Sequence, residues 1–215
     1  MSTYAPRNPA FRCDAALVVL AALPFFLNDF LFLRTTTGLG WLAADYGSKL
    51  LALAIVFALP ALRRALAGTR PIRRPLWRAA ALALLVAAFV TVADYFFRVV
   101  APIEVEAMVL FKYPKISSPV LYWTDITYGL ALTAVSEELI FRGLFARLLA
   151  RHCASETVLI AASAVFFALI HWSHGLTAMV VAFVAGAALM ALYRRTDSLL
   201  PPMAAHYLIN LWDFI

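Results

Sequence analysis

Three pairs of residues, each four positions apart, carry the groups that could do chemistry in a chain that is otherwise mostly apolar. The pairs are Glu138 with Arg142 in "SEELIFRG", Phe167 with His171 in "FFALIH", and His206 with Asn210 in "HYLIN". Residues four apart on an α-helix share a face, so the members of a pair can act together. Glu137 diverges from Glu138 by about 100° around the helix, so it faces a different neighbour.

These residue types suit the hydrolysis of an amide by an activated water molecule. A carboxylate and an imidazole, here Glu137 and His171, can share a water and act on it as a general base. A second histidine and an amide, His206 and Asn210, can donate hydrogen bonds to the oxyanion that develops. Such a site needs no protein nucleophile, and the motif G-x-S-x-G is absent from the sequence.

Two other interpretations of the same residues stay open. Glutamate and histidine also bind zinc, and a zinc site would use Glu137, His171 and His206 as ligands. The H-E-x-x-H signature is absent and the ligands would come from three separate helices, so we expect no cofactor, with zinc as the alternative. The residues could also be structural, with Glu138 and Arg142 as a simple ion pair, but ionisable groups inside a membrane are rare and usually functional.

The composition indicates which elements position these groups. The chain has 215 residues, of which 64% are hydrophobic and 14% charged, and its mean hydropathy is +0.86. Only helices or a closed barrel can span hydrocarbon, and the continuous Ala- and Leu-rich runs favour helices. We therefore predict an all-α, polytopic transmembrane bundle of about seven to eight helices in a lipid bilayer. The net charge of +6 does not indicate nucleic acid, because the basic residues cluster at helix ends.

Seven apolar segments approach the length of about 20 residues that a bilayer requires. They cover residues 15–33, 43–62, 79–100, 121–143, 156–173, 174–193 and 199–214, and residues 103–112 could add an eighth helix. The turn after the fourth segment falls near Ala154, with Glu137 17 residues before it and His171 17 residues after it. At about 1.5 Å rise per residue, an antiparallel hairpin brings these two residues to the same height.

The basic residues predict the orientation of the chain in the membrane. With the N-terminus in the cytoplasm, 13 of the 18 Lys and Arg residues lie in cytoplasmic segments, six of them in the linker from Arg63 to Arg78. This bias follows the positive-inside rule and predicts a cytoplasmic N-terminus. We expect a multi-pass protein of a bacterial-type cytoplasmic membrane. The first apolar run continues past Asn28 and Asp29, so we interpret it as an uncleaved helix.

The sequence contains the motifs of a known family. "EELIFRG", "FFALIH" and "HYLIN" resemble, in order and approximate separation, the E-E-x-x-x-R, F-x-x-x-H and H-x-x-x-N motifs of the CPBP family. That family contains CAAX prenyl endopeptidases and bacteriocin-processing or bacteriocin-immunity proteins. The resemblance implies a glutamic-type intramembrane endopeptidase in which Glu137 and His171 activate water, His206 and Asn210 form the oxyanion hole, and Glu138 and Arg142 support them.

The resemblance also implies a domain organisation and a class of substrate. It covers about residues 120–215, after a cytoplasmic segment at 1–14 and variable membrane helices at 15–119. The expected substrate is a membrane-associated protein or peptide, cut near its C-terminus. The alternative is a non-proteolytic membrane partner, such as an immunity or chaperone-like protein, because family membership does not guarantee activity.

Several polar and small residues receive structural interpretations instead. Ala182 and Gly186 form a small-residue face suited to close helix packing. Asp94 could pair with Arg98, four residues on. We do not assign Asp94, Asn28, Asp29 or His174 to the site.

Overall fold

The structure is a computed structural model that describes residues 9–35, 37–69, 71, 75–103, 109–110 and 115–214. These residues form helices and connecting turns, with no β-strand among them, which confirms the all-α prediction. The predicted eighth helix at 103–112 falls largely outside the described residues, and 103, 109 and 110 are not helical. Arg7, Arg70, Arg73, Arg74 and Lys112, part of the orientation argument, also lie outside them.

The helices fall into three groups along the chain. The first group is α1 (Pro9–Phe32), α2 (Gly38–Ala58), α3 (Pro60–Ala67) and α4 (Leu76–Tyr95), with α4 extended by a π-helical turn over Phe96–Val100. The second is α5 (Pro119–Thr124), a π-helical turn (Asp125–Gly129), α6 (Leu130–Glu138), a second π-helical turn (Leu139–Leu144), α7 (Phe145–Leu149) and a 3-10 turn (Ala150–His152). The third is α8 (Glu156–Leu169), α9 (Leu176–Thr196) and α10 (Leu200–Trp212). The second group is one continuous helix from Pro119 to His152, which we call the central rod.

Local sequence signals explain where several of these helices begin. Thr37, Ser118 and Ser155 each place a side-chain oxygen on a backbone N–H of the first turn, of α2, the central rod and α8 respectively. Such caps satisfy N–H groups that have no partner within the helix. Between α8 and α9 the chain reverses through a 3-10 turn (Trp172–His174) and Gly175, whose φ of 97° suits a residue without a Cβ atom.

Four helices are long and apolar enough to cross a membrane: Pro9–Phe32, Gly38–Ala58, Leu76–Val100 and Leu176–Thr196. On the third of these, Leu85, Phe89 and Val92 are each more than half exposed, as expected for a surface that faces lipid. The chain is therefore an integral membrane protein with a helical bundle. The predicted fifth segment corresponds to α8, which has only 14 residues.

The predicted linker from Arg63 to Arg78 is partly wrong. It begins inside α3, which starts at Pro60 and buries Leu62 and Leu66 while Arg63 and Arg64 stay exposed. Proline at the first helical position and this spacing of apolar residues favour a short amphipathic helix. The many arginines between residues 63 and 78 make this segment resemble a polar linker in the sequence.

The turn after the central rod lies where the sequence placed it, between His152 and Glu156. It directs α8 back along the rod, and α9 then packs closely on α8 at Gly186. A Cβ atom at Gly186 would lie 3.0 Å from Ala164 Cα and 3.2 Å from Phe167 Cδ1. The predicted packing face is thus confirmed at Gly186, and it packs against Phe167.

We expect Gly186→Ala to lower the free energy of unfolding by about 1–3 kcal/mol relative to Gly47→Ala. Both substitutions gain the same helix propensity, but a Cβ atom at Gly47 meets nothing within 4 Å. The measurement is unfolding of the two purified variants in the same detergent. Equal midpoints for the two variants would show that the contact between α8 and α9 is not tight.

Candidate active site

All four residues predicted to carry the chemistry line one cavity of about 1090 Å³. Glu137 comes from the end of α6, His171 follows α8, and His206 and Asn210 lie one turn apart on α10. The hairpin formed by the central rod and α8 brings the first two into this cavity, as expected for residues at equal distances from the turn. The three sequence motifs therefore converge on one space, while the role of each residue stays a prediction.

Glu138 and Arg142 form the ion pair that their spacing predicted. Arg142 Nη1 lies 2.9 Å from Glu138 Oε1, and both side chains are fully buried. The same carboxylate oxygen lies 2.7 Å from His206 Nδ1. Since a carboxylate accepts, His206 Nδ1 is the donor, and this bond ties the central rod to α10. The sequence did not predict this contact.

Phe167 is the apolar centre around which the charged residues pack. The Arg142 guanidinium carbon lies 4.2 Å from the centroid of the Phe167 ring, which is a cation–π distance. The ring also contacts His171 edge-on, with 5.0 Å between centroids, and His206, with 5.9 Å. Phe167 is 2% exposed, so its packing fixes how far apart the two histidines stand.

Hydrogen bonding fixes which nitrogen of His171 is available. Its Nδ1 lies 3.1 Å from the Phe167 carbonyl oxygen, which can only accept. In the neutral imidazole Nδ1 therefore carries the proton, and Nε2 keeps a lone pair that can accept.

Glu137 contacts His206 rather than His171. Its Oε2 lies 3.7 Å from His206 Nε2, which is longer than a hydrogen bond. Among the residues that the structure describes, no hydrogen bond or ion pair joins Glu137 to His171. The shared water between them therefore stays a prediction, made for two residues that line the same cavity.

The N-terminal helices contribute polar residues that the sequence analysis left out of the site. Asn28, Asp29 and Asp94, which the sequence analysis did not assign to the site, line the same cavity. Asp94 does pair with Arg98 as predicted, at 2.6 Å. Polar and ionisable side chains within apolar helices were the signal for these positions, but the sequence did not show which side of each helix faces inward.

A second buried ion pair on the cavity wall also went unpredicted. Asp45 and Lys49 are four apart on α2, are in direct contact, and are each 6% exposed. Nearby, Tyr46 Oη donates to Asp125 Oδ1 at 2.8 Å. A Cβ atom at Gly129 would lie 2.4 Å from that carboxylate oxygen, so glycine makes room for the bond. The four-residue spacing that identified Glu138 and Arg142 would also have found Asp45 and Lys49.

The zinc alternative requires Glu137, His171 and His206 to act as one set of ligands. Within the described residues, no group of three or more His, Cys, Asp or Glu side chains is placed to hold a metal ion.

Fold and site together define the class of protein: a polytopic, all-α membrane protein in which buried carboxylates and histidines surround an internal cavity. Residues 119–212, which contain all three motifs, match the family model described as type II CAAX prenyl endopeptidase Rce1-like. This segment is similar to that family of hydrolases, which act on peptide bonds, and the match confirms the resemblance seen in the motifs. The curated proteins and the solved structures give no significant match.

Proposed function

We propose that the protein hydrolyses a peptide bond near the C-terminus of a membrane-associated protein or peptide, within the cavity. The observation that supports this function is that Glu137, His171, His206 and Asn210 all line one cavity, inside the segment that matches the endopeptidase family. The division into a cytoplasmic segment (1–14), variable membrane helices (15–119) and a family-like bundle (120–215) stays a prediction. Helices α1, α2 and α4 line the same cavity as the family segment.

In the proposed reaction, Glu137 and His171 hold the attacking water. His171 Nε2 accepts a hydrogen bond from the water, which orients it. Glu137 takes the second proton as the water oxygen attacks the carbonyl carbon of the peptide. The electrons of the C=O double bond move to the carbonyl oxygen, which becomes an oxyanion.

His206 and Asn210 donate hydrogen bonds to that oxyanion. Because His206 Nδ1 donates to Glu138, its Nε2 can donate only in the imidazolium form. That cation has a carboxylate beside each nitrogen, Glu138 at 2.7 Å and Glu137 at 3.7 Å. The C–N bond then breaks as the proton held by Glu137 passes to the departing nitrogen, which yields a carboxylic acid and an amine.

The function is tested with peptides tethered to liposomes by an N-terminal membrane helix and analysed by mass spectrometry. We expect the wild-type protein to produce two new termini near the C-terminal end, and Glu137→Ala and His171→Ala to produce the same termini at a small fraction of the wild-type rate. A matched peptide extended by about 20 residues tests the C-terminal preference. Binding of the peptide without cleavage by the wild type would instead indicate the non-proteolytic partner.

Chelation tests the proposal that no metal takes part. We expect 1,10-phenanthroline or EDTA to leave the cleavage rate unchanged, because no group of ligands forms among the described residues. The control is the same treatment followed by added zinc. Loss of activity that zinc restores would contradict the proposal and identify Glu137, His171 and His206 as ligands.

We also propose that the N-terminus lies in the cytoplasm, in a bacterial-type membrane. Support comes from contacts that bring the arginine-rich segments to one end of the bundle. Those contacts are Arg151 with Asp14, Arg147 with Asp197 at 3.3 Å, and Arg194 with Glu156 at 3.4 Å. An end rich in arginine is the cytoplasmic end under the positive-inside rule.

A further inference from the structure

Asp29 is a buried carboxylate whose presence the three motifs do not explain. It lies near the C-terminal end of α1, outside the family match at residues 119–212, and is 3% exposed. It nevertheless lines the cavity that holds the motif residues. Keeping an ionisable group in such a place is costly, and it generally marks a function.

The partner of Asp29 is the turn that follows His171. Ser173 Oγ donates to Asp29 Oδ2 at 2.7 Å, and the Ser173 backbone donates to the same carboxylate. Ser173 is fully buried, and the next residues along both segments pack together, with 5.1 Å between the ring centroids of Phe30 and Trp172. The end of α1 therefore holds this turn through both polar and apolar contacts.

Besides Asp29, the Leu110 backbone N–H also holds the turn, by donating to the Ser173 carbonyl oxygen at 2.9 Å. The turn consists of His171, a single 3-10 turn and Gly175, which has a positive φ. The His174 backbone N–H donates to the His171 carbonyl oxygen at 3.1 Å, so the backbone at His171 moves with the turn.

The contact with Asp29 also orders a second histidine beside His171. Ser173 Oγ lies 3.1 Å from His174 Nδ1. Because the hydroxyl proton goes to the carboxylate, His174 Nδ1 is the donor in this contact. His174 lines the cavity, with 6.3 Å between its ring centroid and that of His171.

We propose that Asp29 is a positioning residue for His171: through Ser173 it fixes the turn at residues 171–175 and with it the His171 ring in the cavity. The inference rests on the proposed function of His171 in peptide hydrolysis. It assigns a role in the site to a helix that the family match does not include.

Kinetics of four variants test this role. We expect Asp29→Ala and Ser173→Ala to lower kcat about 10- to 100-fold with little change in KM, because small displacements of a catalytic group cost about that much. Asp29→Asn keeps an oxygen that accepts from Ser173 and should recover most of the loss. The matched control is Asp14→Ala, which removes a buried carboxylate at the other end of α1 and should leave kcat near wild type.

Epistasis with His171 separates positioning from general damage. In a His171→Ala background, Asp29→Ala should cause no further loss of activity, because it acts through His171. The proposal is overturned if Asp29→Ala keeps the wild-type kcat, or if it lowers activity equally in both backgrounds.

A spectroscopic measurement tests the inference even if the wild-type protein cleaves no peptide. The chain has four histidines, so ¹⁵N-histidine labelling gives a small set of side-chain signals. Asp29→Ala should shift the His171 and His174 signals and leave His152 unchanged, whereas Asp14→Ala should shift His152, whose Nε2 lies 2.8 Å from Asp14. Unchanged His171 and His174 signals in Asp29→Ala would refute the positioning role of Asp29, whatever the outcome for peptide cleavage.

Discussion

Replacing Glu137 by glutamine should lower kcat/KM for a tethered peptide by about 10²- to 10⁴-fold, the usual contribution of a general base. The amide has nearly the same shape as the carboxylate, so the cavity wall stays intact. It cannot take a proton from water, however, and the reaction loses the group that activates the nucleophile. The measurement is initial cleavage rate in liposomes, at equal protein concentration.

The matched control for this variant is Glu156→Gln, the same change at an exposed residue at the start of α8. It should cleave at the wild-type rate. Unfolding midpoints of both variants should equal that of the wild type within a few degrees. A Glu137→Gln protein that cleaves within about threefold of the wild type would remove Glu137 from the mechanism.

Breaking the pair of Glu138 and Arg142 should have the largest effect on stability. Arg142→Met leaves the Glu138 carboxylate buried without its cation, and losing one partner of a buried pair costs about 3–5 kcal/mol. It also removes the cation from the face of Phe167. We expect a lower unfolding midpoint together with loss of cleavage, while Arg142→Lys recovers only part of either, because lysine lacks the planar fork.

The double variant Glu138→Gln/Arg142→Met separates the two effects. Removing both charges should restore much of the stability, because no isolated charge stays buried. Cleavage should stay low, because the glutamine amide can accept from His206 Nδ1 but lacks the negative charge that stabilises the His206 imidazolium. If the double variant regains wild-type activity, the contact between Glu138 and His206 has no part in the reaction.

The sequence predicted the features that depend on a single helix or hairpin. The pair of Glu138 and Arg142 follows from their spacing, and the presence of both Glu137 and His171 in the lining of one cavity agrees with their equal distances to the turn. The close packing at Gly186 follows from the small residues around it. Each of these needs only the pitch of a helix and the position of one turn.

Features that depend on how separate helices pack were not predicted. The bond between His206 and Glu138 requires the rotation of α10 against the central rod, which no local pattern encodes. The position of Asp29 on the cavity lining depends likewise on how α1 packs against its neighbours.

The two π-helical turns of the central rod also escaped prediction. The second, Leu139–Leu144, contains Phe141, whose carbonyl oxygen accepts from Ser163 Oγ on α8 at 2.8 Å. That bond is long-range, so the sequence around either residue gives no sign of it. π-Helical turns are nevertheless frequent at functional sites, and both of these lie next to cavity residues.

The central claim is that Glu137 and His171 act together on one water molecule, and a double-mutant cycle tests it most directly. The kcat/KM values of the wild type, Glu137→Gln, His171→Ala and the double variant are measured with one tethered peptide. Residues that act as a unit lose their joint effect when either is removed, so the double variant should be no slower than the slower single variant. The claim would be contradicted if the fold-losses in kcat/KM of the two single variants multiply in the double variant. It would also be contradicted if either single variant cleaves at the wild-type rate.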